Sequence, residues 1–477
     1  MKTFLLAMAL LINVCAGAQN IGIGTETPQG KLHIKGSADT SQLVIDASAT
    51  QTNDHPLFLI RTASGEELLR IHSGTTNDLF IGYQAGRVSQ GTLKDHGNTF
   101  VGSEAGLTNT TGTQNAVLGS AALSANTTGA QNTAIGWGSL YSNDDGSYNT
   151  AVGAWTMSSN TTGGQNTALG YGALTHNTFA TNNTAIGWSA LVNSTGVSNT
   201  AVGAAALKNN HLGYSNTAIG VNALFNNGGA IANNNTAIGI ATLYNTTNAQ
   251  FNTALGHYAG SQFNNGYNNV FLGANTDVNG AGYFNVIAIG QGTICTASSQ
   301  VTIGNGATNS YRAYANWSNI SDGRFKKNIQ ENVPGLAFIT QLRPVTYNLN
   351  ATELDDFLHS DQNAVPAVTG SSERTAAPVA SETAKAAIAQ ALQEKEQVVQ
   401  TGFVAQEVEA IAKKMGFNFS GIDAPTSDKD VYGLRYAEFV VPLVKAVQEQ
   451  QVMIRKQDEL IASLQQQIAA LKTLIKK

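Results

Sequence analysis

A five-residue pattern, Asn-Thr-Ala-Ile-Gly and its variants, recurs through the middle of the chain at a spacing that hardly changes. It starts at Asn98, Asn115, Asn132, Asn149, Asn166, Asn183, Asn199, Asn216, Asn235, Asn252 and Asn269, at intervals of 17, 17, 17, 17, 17, 16, 17, 19, 17 and 17 residues. A looser copy runs from Asp78 to Gly82 and another from Asn285 to Gly290. A short fixed period means a stack in which each unit buries its face only against its neighbours, so a solenoid is expected. Alternation within the motif puts Thr and Ile on one face and Ala and Gly on the other. Most copies add an apolar residue four positions after the Gly, as at Leu123, Leu140, Leu174, Leu191, Leu207, Leu224 and Leu243. Each unit therefore reads as a short strand, a Gly-assisted bend, a second short strand and a polar loop. About a dozen coils at roughly 4.8 Å each would build a rod of about 55–60 Å. The recurrent Asn is placed to stack as a hydrogen-bonded ladder along it.

Composition narrows what such a rod does. Between Asn98 and Ser310 the only charged residues are Glu104, Asp144, Asp145, Lys208 and Asp277. Calcium-binding nonapeptide repeats need regularly placed Asp and are excluded. The threonine column (Thr133, Thr150, Thr167 and onward) would suit ice binding if it faced solvent. It is expected instead to face a core with the Ile two residues on. Ile, Val and Leu in strict register argue against disorder. The motif resembles the head repeats of trimeric autotransporter adhesins and repeats in phage tail fibres, with a longer period than is usual there. A net charge of −5 gives no reason to expect a nucleic-acid partner.

The start of the chain reads as a secretory signal over residues 1–18. Lys2 supplies the positive end, Phe4 to Val14 is mainly apolar, and Ala16-Gly17-Ala18 offers a cleavage pattern before Gln19. Cys15 raises lipidation, but bulky Val14 before it favours ordinary cleavage. The apolar run is short for a bilayer span, and no other stretch is a candidate. The mature protein is expected to be secreted or at the cell surface, with no membrane span. Cys295 is then its only thiol, expected to be buried, and no intrachain disulfide forms. Residues 19–75 form a lead-in of short strand-like runs, including Ile21-Gly22-Ile23, Lys31-Leu32-His33-Ile34 and Leu57-Phe58-Leu59-Ile60. The first two resemble the start of many secreted bacterial fibre-type proteins.

The repeat, assigned to 76–310, gives way to mixed-charge sequence. Residues 359 to about 384 read as a linker, and Glu382 to Val399 suits a helix. A heptad closes the chain over 439–477. Val440, Val447, Ile454, Ile461, Ile468 and Ile475 occupy one seam position, and Leu443, Gln450, Gln457, Leu464 and Leu471 the other. The seam predicts a coiled coil; its two Gln layers leave the number of strands open.

At the junction stands Ser318-Asn319-Ile320-Ser321-Asp322-Gly323-Arg324-Phe325-Lys326-Lys327-Asn328-Ile329. Ser321 Oγ is placed to attack the carbonyl of Ile320 in an N→O acyl shift, giving an ester that water hydrolyses. A lysine serves as the base where burial or neighbouring cations favour its neutral form. Asp322 opposes that unless Arg324 engages it. Residues five apart point about 140° apart on an α-helix, so Ser321 and Lys326 meet only across a turn, which Gly323 permits, or between subunits.

This stretch, followed by Leu342, Tyr347, Gly402-Phe403-Val404-Ala405-Gln406-Glu407-Val408, Tyr436 and the terminal heptads, resembles the intramolecular chaperone domain of endosialidase-type tail spikes, the S74 self-cleaving peptidases. The resemblance covers 318–438 and the coiled coil, with Phe325 where the family usually has Leu and a longer segment at 351–400. It implies a homotrimer whose C-terminal domain assembles the fibre and then releases itself. It makes Ser321 the nucleophile and Lys326 the base of a single-turnover cut between Ile320 and Ser321, with Asp322, Arg324 and Asn328 as supporting motif residues. The expected fold class is mainly β: an elongated β-solenoid or β-roll fibre, trimeric, then a small α+β chaperone domain and a helical coiled coil. The eight histidines show no ligand spacing, and neither cofactor nor metal is expected. The rival readings are a fibre whose C-terminal domain only trimerises, and a phage-derived tail fibre, which would need no secretory signal. The ligand of the repeat is not indicated.

Overall fold

The computed structural model describes short pieces between residues 21 and 45, then 56–72, 77–88, 96–359 and 382–475, apart from positions 66 and 316. The expected signal at 1–18 and the linker at 360–381 lie outside the described residues.

A parallel ladder of three-residue strands forms the body. It runs from Leu79–Ile81 through Thr99–Val101, Thr133–Ile135 and their successors to Val301–Ile303, every motif pairing in register with the next. The result is a β-solenoid of about 13 turns. A hairpin of Phe58–Arg61 and Glu67–His72 pairs antiparallel with the first rung and extends the same sheet. Before it, Ile21–Ile23 pairs with Leu32–Ile34.

The strands alternate as expected, but their sidedness is reversed. In Thr133–Ile135 the middle Ala134 is buried and Ile135 is exposed, and the pattern repeats in Thr184–Ile186 and Thr217–Ile219. The core is Ala134, Ala151, Ala168 and their equivalents, packed with Leu123, Leu140, Met157, Leu174 and Leu191. Thr and Ile face outward. Most coils have room for one large side chain inside: where Leu or Met enters from the turn the strand turns an Ala inward, and where Phe80 or Phe100 enters from the strand Gly86 or Gly106 stands at the turn position, with a Cβ there meeting the ring. The motif glycine is fixed by the close approach of the next coil. Gly136 has φ of +121°, and a Cβ there would lie 2.6 Å from the backbone of Gly153 in the next coil.

The expected second strand is found only late in the stack, at Asn248–Gln250 with Asn265–Tyr267 and at Asp277–Val278 with Ile294–Cys295. Elsewhere a turn of alternating hand replaces it. Ala121, Leu123, Leu140, Trp155, Met157 and Leu174 all have φ between 51° and 57°. That conformation costs about 1–2 kcal/mol per residue. In return the turn's peptide groups point along the rod and bond from coil to coil, as in Leu123 N–H to Ser139 O at 2.9 Å and Leu140 N–H to Thr156 O at 2.9 Å.

Two buried asparagine ladders tie the coils. The Oδ1 of each motif Asn, from Asn98 to Asn269, accepts the N–H of the residue one coil on, at 2.9–3.1 Å. Asp78 starts the series by accepting from Asn98 N–H at 2.8 Å. The amide groups donate to a carbonyl at the far side of the coil, for example Asn132 to Gly146 O at 2.9 Å. The second ladder, eleven residues after the motif Asn, is side chain to side chain: Asn126 to Asn109, Asn143 to Asn126, Asn160 to Asn143 and Asn177 to Asn160, at 2.7–2.8 Å. It breaks where the rung is Ser194 or Thr246, and there the buried Oδ1 atoms of Asn177 and Asn227 find no partner.

The C-terminal third is a small α/β unit: helices α1 (Leu336–Ile339), α2 (Ala351–His359), α3 (Glu382–Glu396) and α4 (Ala405–Lys414), two short antiparallel pairs, and the long helix α5 (Val440–Ile475). Phe338, Val408, Ala412, Phe419 and Phe439 form its core. Helix α5 has 36 residues, about 54 Å of rod. Its seam residues Val447, Ile454, Ile461, Leu464 and Ile468 are exposed along the single chain. Among the described residues no helix is long and apolar enough to cross a membrane.

Two predictions follow from the buried polar groups. Ser194→Asn supplies an amide for Asn177 Oδ1 and should raise stability by about 1 kcal/mol, whereas Asn143→Ala orphans Asn126 Oδ1 and should cost about 1–3 kcal/mol; thermal unfolding by circular dichroism reads both. Burial also pushes the Asp277 carboxyl up to about 7, against N–H bonds from Gln262, Val278 and Phe263. The folded state thus holds this proton more tightly than the unfolded chain. Its contribution is full below the ordinary carboxylate pKa and lost as pH rises through about 7. Asp277→Asn should flatten the difference in melting temperature between about pH 5 and about pH 8.

Candidate functional site

The solenoid ends at Val301–Ile303, and the chain then leaves the stack as an irregular exposed segment in which Ile320 is 97% exposed. A single 3₁₀ turn, Gly323–Phe325, follows. Asp322 caps it. Its carboxylate accepts the N–H of Arg324 at 2.9 Å and the Arg324 guanidinium at 2.6 and 3.0 Å. The guanidinium and N–H hold the Asp322 carboxyl below the usual carboxylate range. Lys326 N–H closes the turn on Gly323 O at 3.2 Å.

That one turn brings the side chains of Ser321 and Lys326 together. Lys326 Nζ donates to Ser321 Oγ at 2.7 Å. A 3₁₀ turn followed by extended backbone at Lys326 does what a continuous helix cannot. Gly323 plays a smaller part than its conformational freedom suggests: its φ is ordinary, and an added Cβ would meet open space. The Asp322 cap makes the turn. Asn328 carries a left-handed φ of +54°, a conformation its short amide side chain tolerates. Arg324 occupies Asp322, so that carboxylate is turned from Lys326 to the guanidinium. Ser321 and Lys326 both lie in solvent in the single chain.

The rest of the unit docks on the end of the solenoid. Lys395 Nζ donates to Gly306 O at 2.8 Å and Thr308 O at 3.1 Å. His359 sits 3.0 Å from Gly292 O and 2.7 Å from Asp355 O through its two ring nitrogens. Asn279 donates to Lys429 O at 2.5 Å, and Thr296 pairs with Asp430 at 2.5 Å. These docking residues escaped the sequence reading, because nothing in their spacing marks them. Cys295 is buried beneath this contact, and burial pushes its thiol up to about 11, which makes it inert. Among the described residues no group of three potential metal ligands assembles.

The family model described as Peptidase S74, chaperone of endosialidase, matches residues 321–364. That segment carries the S74 chaperone domain. The match begins at Ser321, the residue that Lys326 touches, and ends past α2. No curated protein matches the chain. The S74 domain therefore sits between a β-solenoid fibre and a long helix whose apolar seam is uncovered.

Proposed function

We propose that the chain is a secreted surface fibre, adhesin-like, whose S74 domain and terminal helix bring three copies together and then free the fibre by cutting Ile320–Ser321. The observation that carries the reading is the 2.7 Å bond between Lys326 Nζ and Ser321 Oγ at the first residue of the S74 match. Lys326 takes the Ser321 hydroxyl proton as Oγ attacks the Ile320 carbonyl. The C–N bond breaks, and the proton passes to the Ser321 amino group. The fibre is left as an ester on Ser321 Oγ, and water hydrolyses it to a carboxylate on Ile320 and a free hydroxyl on Ser321.

A lysine works as this base only when neutral, and burial favours that form. Lys326 is exposed in the single chain, so burial has to come from neighbouring copies. Cleavage is then tied to assembly. The exposed seam of α5 fits the same scheme, since six heptads of Val, Ile and Leu in one helix serve association. Export rests on the sequence of residues 1–18. A tail fibre assembled in the cytoplasm would have no use for that segment.

Expressed full-length, the wild type should give a C-terminal fragment whose first residue is Ser321, and Ser321→Ala and Lys326→Ala should give none. Full-length wild type that persists after light scattering has shown a trimer favours the rival, a fibre whose C-terminal domain only assembles it. Exported protein should begin at Gln19. Arg324→Ala frees the Asp322 carboxylate to hold the lysine as ammonium, so cleavage should slow without being abolished; a time course on gels reads the rate.

A further inference from the structure

The outward strand positions form one uninterrupted face from Leu79 and Ile81 to Val301 and Ile303. Every such position is Thr, Val, Ile or Leu, with a single Ala at Ala116. None is charged. Ile135, Ile186 and Ile238 are 36–38% exposed among the described residues. The other sides of the solenoid are patchy, broken by Lys208, Asp144 and Asp145 and by polar loops.

We propose that this face is where copies of the chain pack against one another along the fibre. The proposal rests on the trimer reading above and assigns its contact surface. The strip is roughly 60 Å long and 10 Å wide, about 600 Å² per copy. The largest apolar patch of a typical monomeric protein is about 300–600 Å², so this strip stands at the upper end of that range. A stable interface needs about 800 Å² per partner, and the α5 seam supplies the remainder. The occupant follows from the repeat itself. The face carries no charge, only closely similar rungs of Thr, Val, Ile and Leu, with one Ala, repeating at roughly 4.8 Å. A surface that matches it along its whole length must share that rise, and a second copy running parallel does. A parallel α5 seam sets the copies at one axial level, so rung meets rung.

Cysteine cross-linking of the full-length chain carrying Cys15→Ser tests this, with Cys295 silent because it is buried. Ile186→Cys lies on the face; Phe179→Cys, 62% exposed, lies on the loop between rungs. A short bismaleimide should link Ile186→Cys chains into covalent dimers and leave Phe179→Cys chains single. An oligomer by light scattering that links through Phe179→Cys and not Ile186→Cys overturns the proposed face and leaves the assembly reading standing. A monomer by light scattering removes the assembly reading as well. Thermal hysteresis in ice from chains that do not cross-link at Ile186→Cys would assign the threonine column to ice, and overturns the proposal too.

Discussion

The buried asparagine is the constraint on which the solenoid depends. A strand of three residues is too short to hold a sheet together, and an alanine core buries little area per rung. What fixes the coils is that each motif Asn accepts the N–H that enters the next strand and donates to a carbonyl across its own coil. A buried amide left unmet would cost about 1–3 kcal/mol. Every coil must therefore present its Asn at the same height and azimuth as the last, and that demand is what the 17-residue period expresses. The short interval coincides with a break in the second ladder, the coil from Asn183 that carries Ser194, whereas the 19-residue coil keeps its rung: Asn227 still donates to Asn210, and the extra residues loop out between Asn227 and Ala232.

From the repeat alone the solenoid, its register, the ladder of motif Asn and the buried Leu after each Gly were all legible. Sidedness was not. Hydrophobicity assigns Ile to the core and Ala to a contact surface, but the Leu or Met that enters from the turn already fills the interior of most coils, and the strand faces Ala inward against it. The turns were equally opaque. Leucine at φ near +51° runs against its local preference, and only the coil-to-coil bonds that the conformation permits explain it. The second Asn ladder carried a signal, an Asn eleven residues after the first in most copies, hidden in a loop that read as merely polar. At the junction the spacing of five told that Ser321 and Lys326 need a turn. It did not tell that the Asp322 cap, more than Gly323, provides it.

The C-terminal unit meets the solenoid at the place where a stack is weakest. The last rung, Val301–Ile303, has no coil beyond it, and its open end would template pairing with other strands. Lys395, His359 and the segment at 429–430 reach the backbone and side chains of the last coils there. A chaperone acting from this position would hold the final coils in their stacked geometry, and the remaining coils would have a finished edge on which to add. One-dimensional stacks propagate from such an edge, because each repeat contacts only its neighbours.

The same contacts bear on the order of events. If cutting Ile320–Ser321 came first, the fibre would keep its cap only through a few hydrogen bonds, and copies would lose the covalent link that places them at one axial level. The proposed mechanism puts the order the other way. Serine and lysine already touch in the single chain, so contact is not the gate. What the single chain lacks around Lys326 is a water-excluded environment, and three copies closing around the junction would provide one. In the proposed mechanism assembly would act as the switch for a pair that is already in position. The strand face fits that proposal, since a face of closely similar rungs has little register of its own and would slip by a coil at little cost. The helix seam, joined to the fibre until the proposed cut, would fix which rung meets which. Once the faces had packed along their full length, sliding would require separating every rung at once, and the link to the helix would no longer be needed.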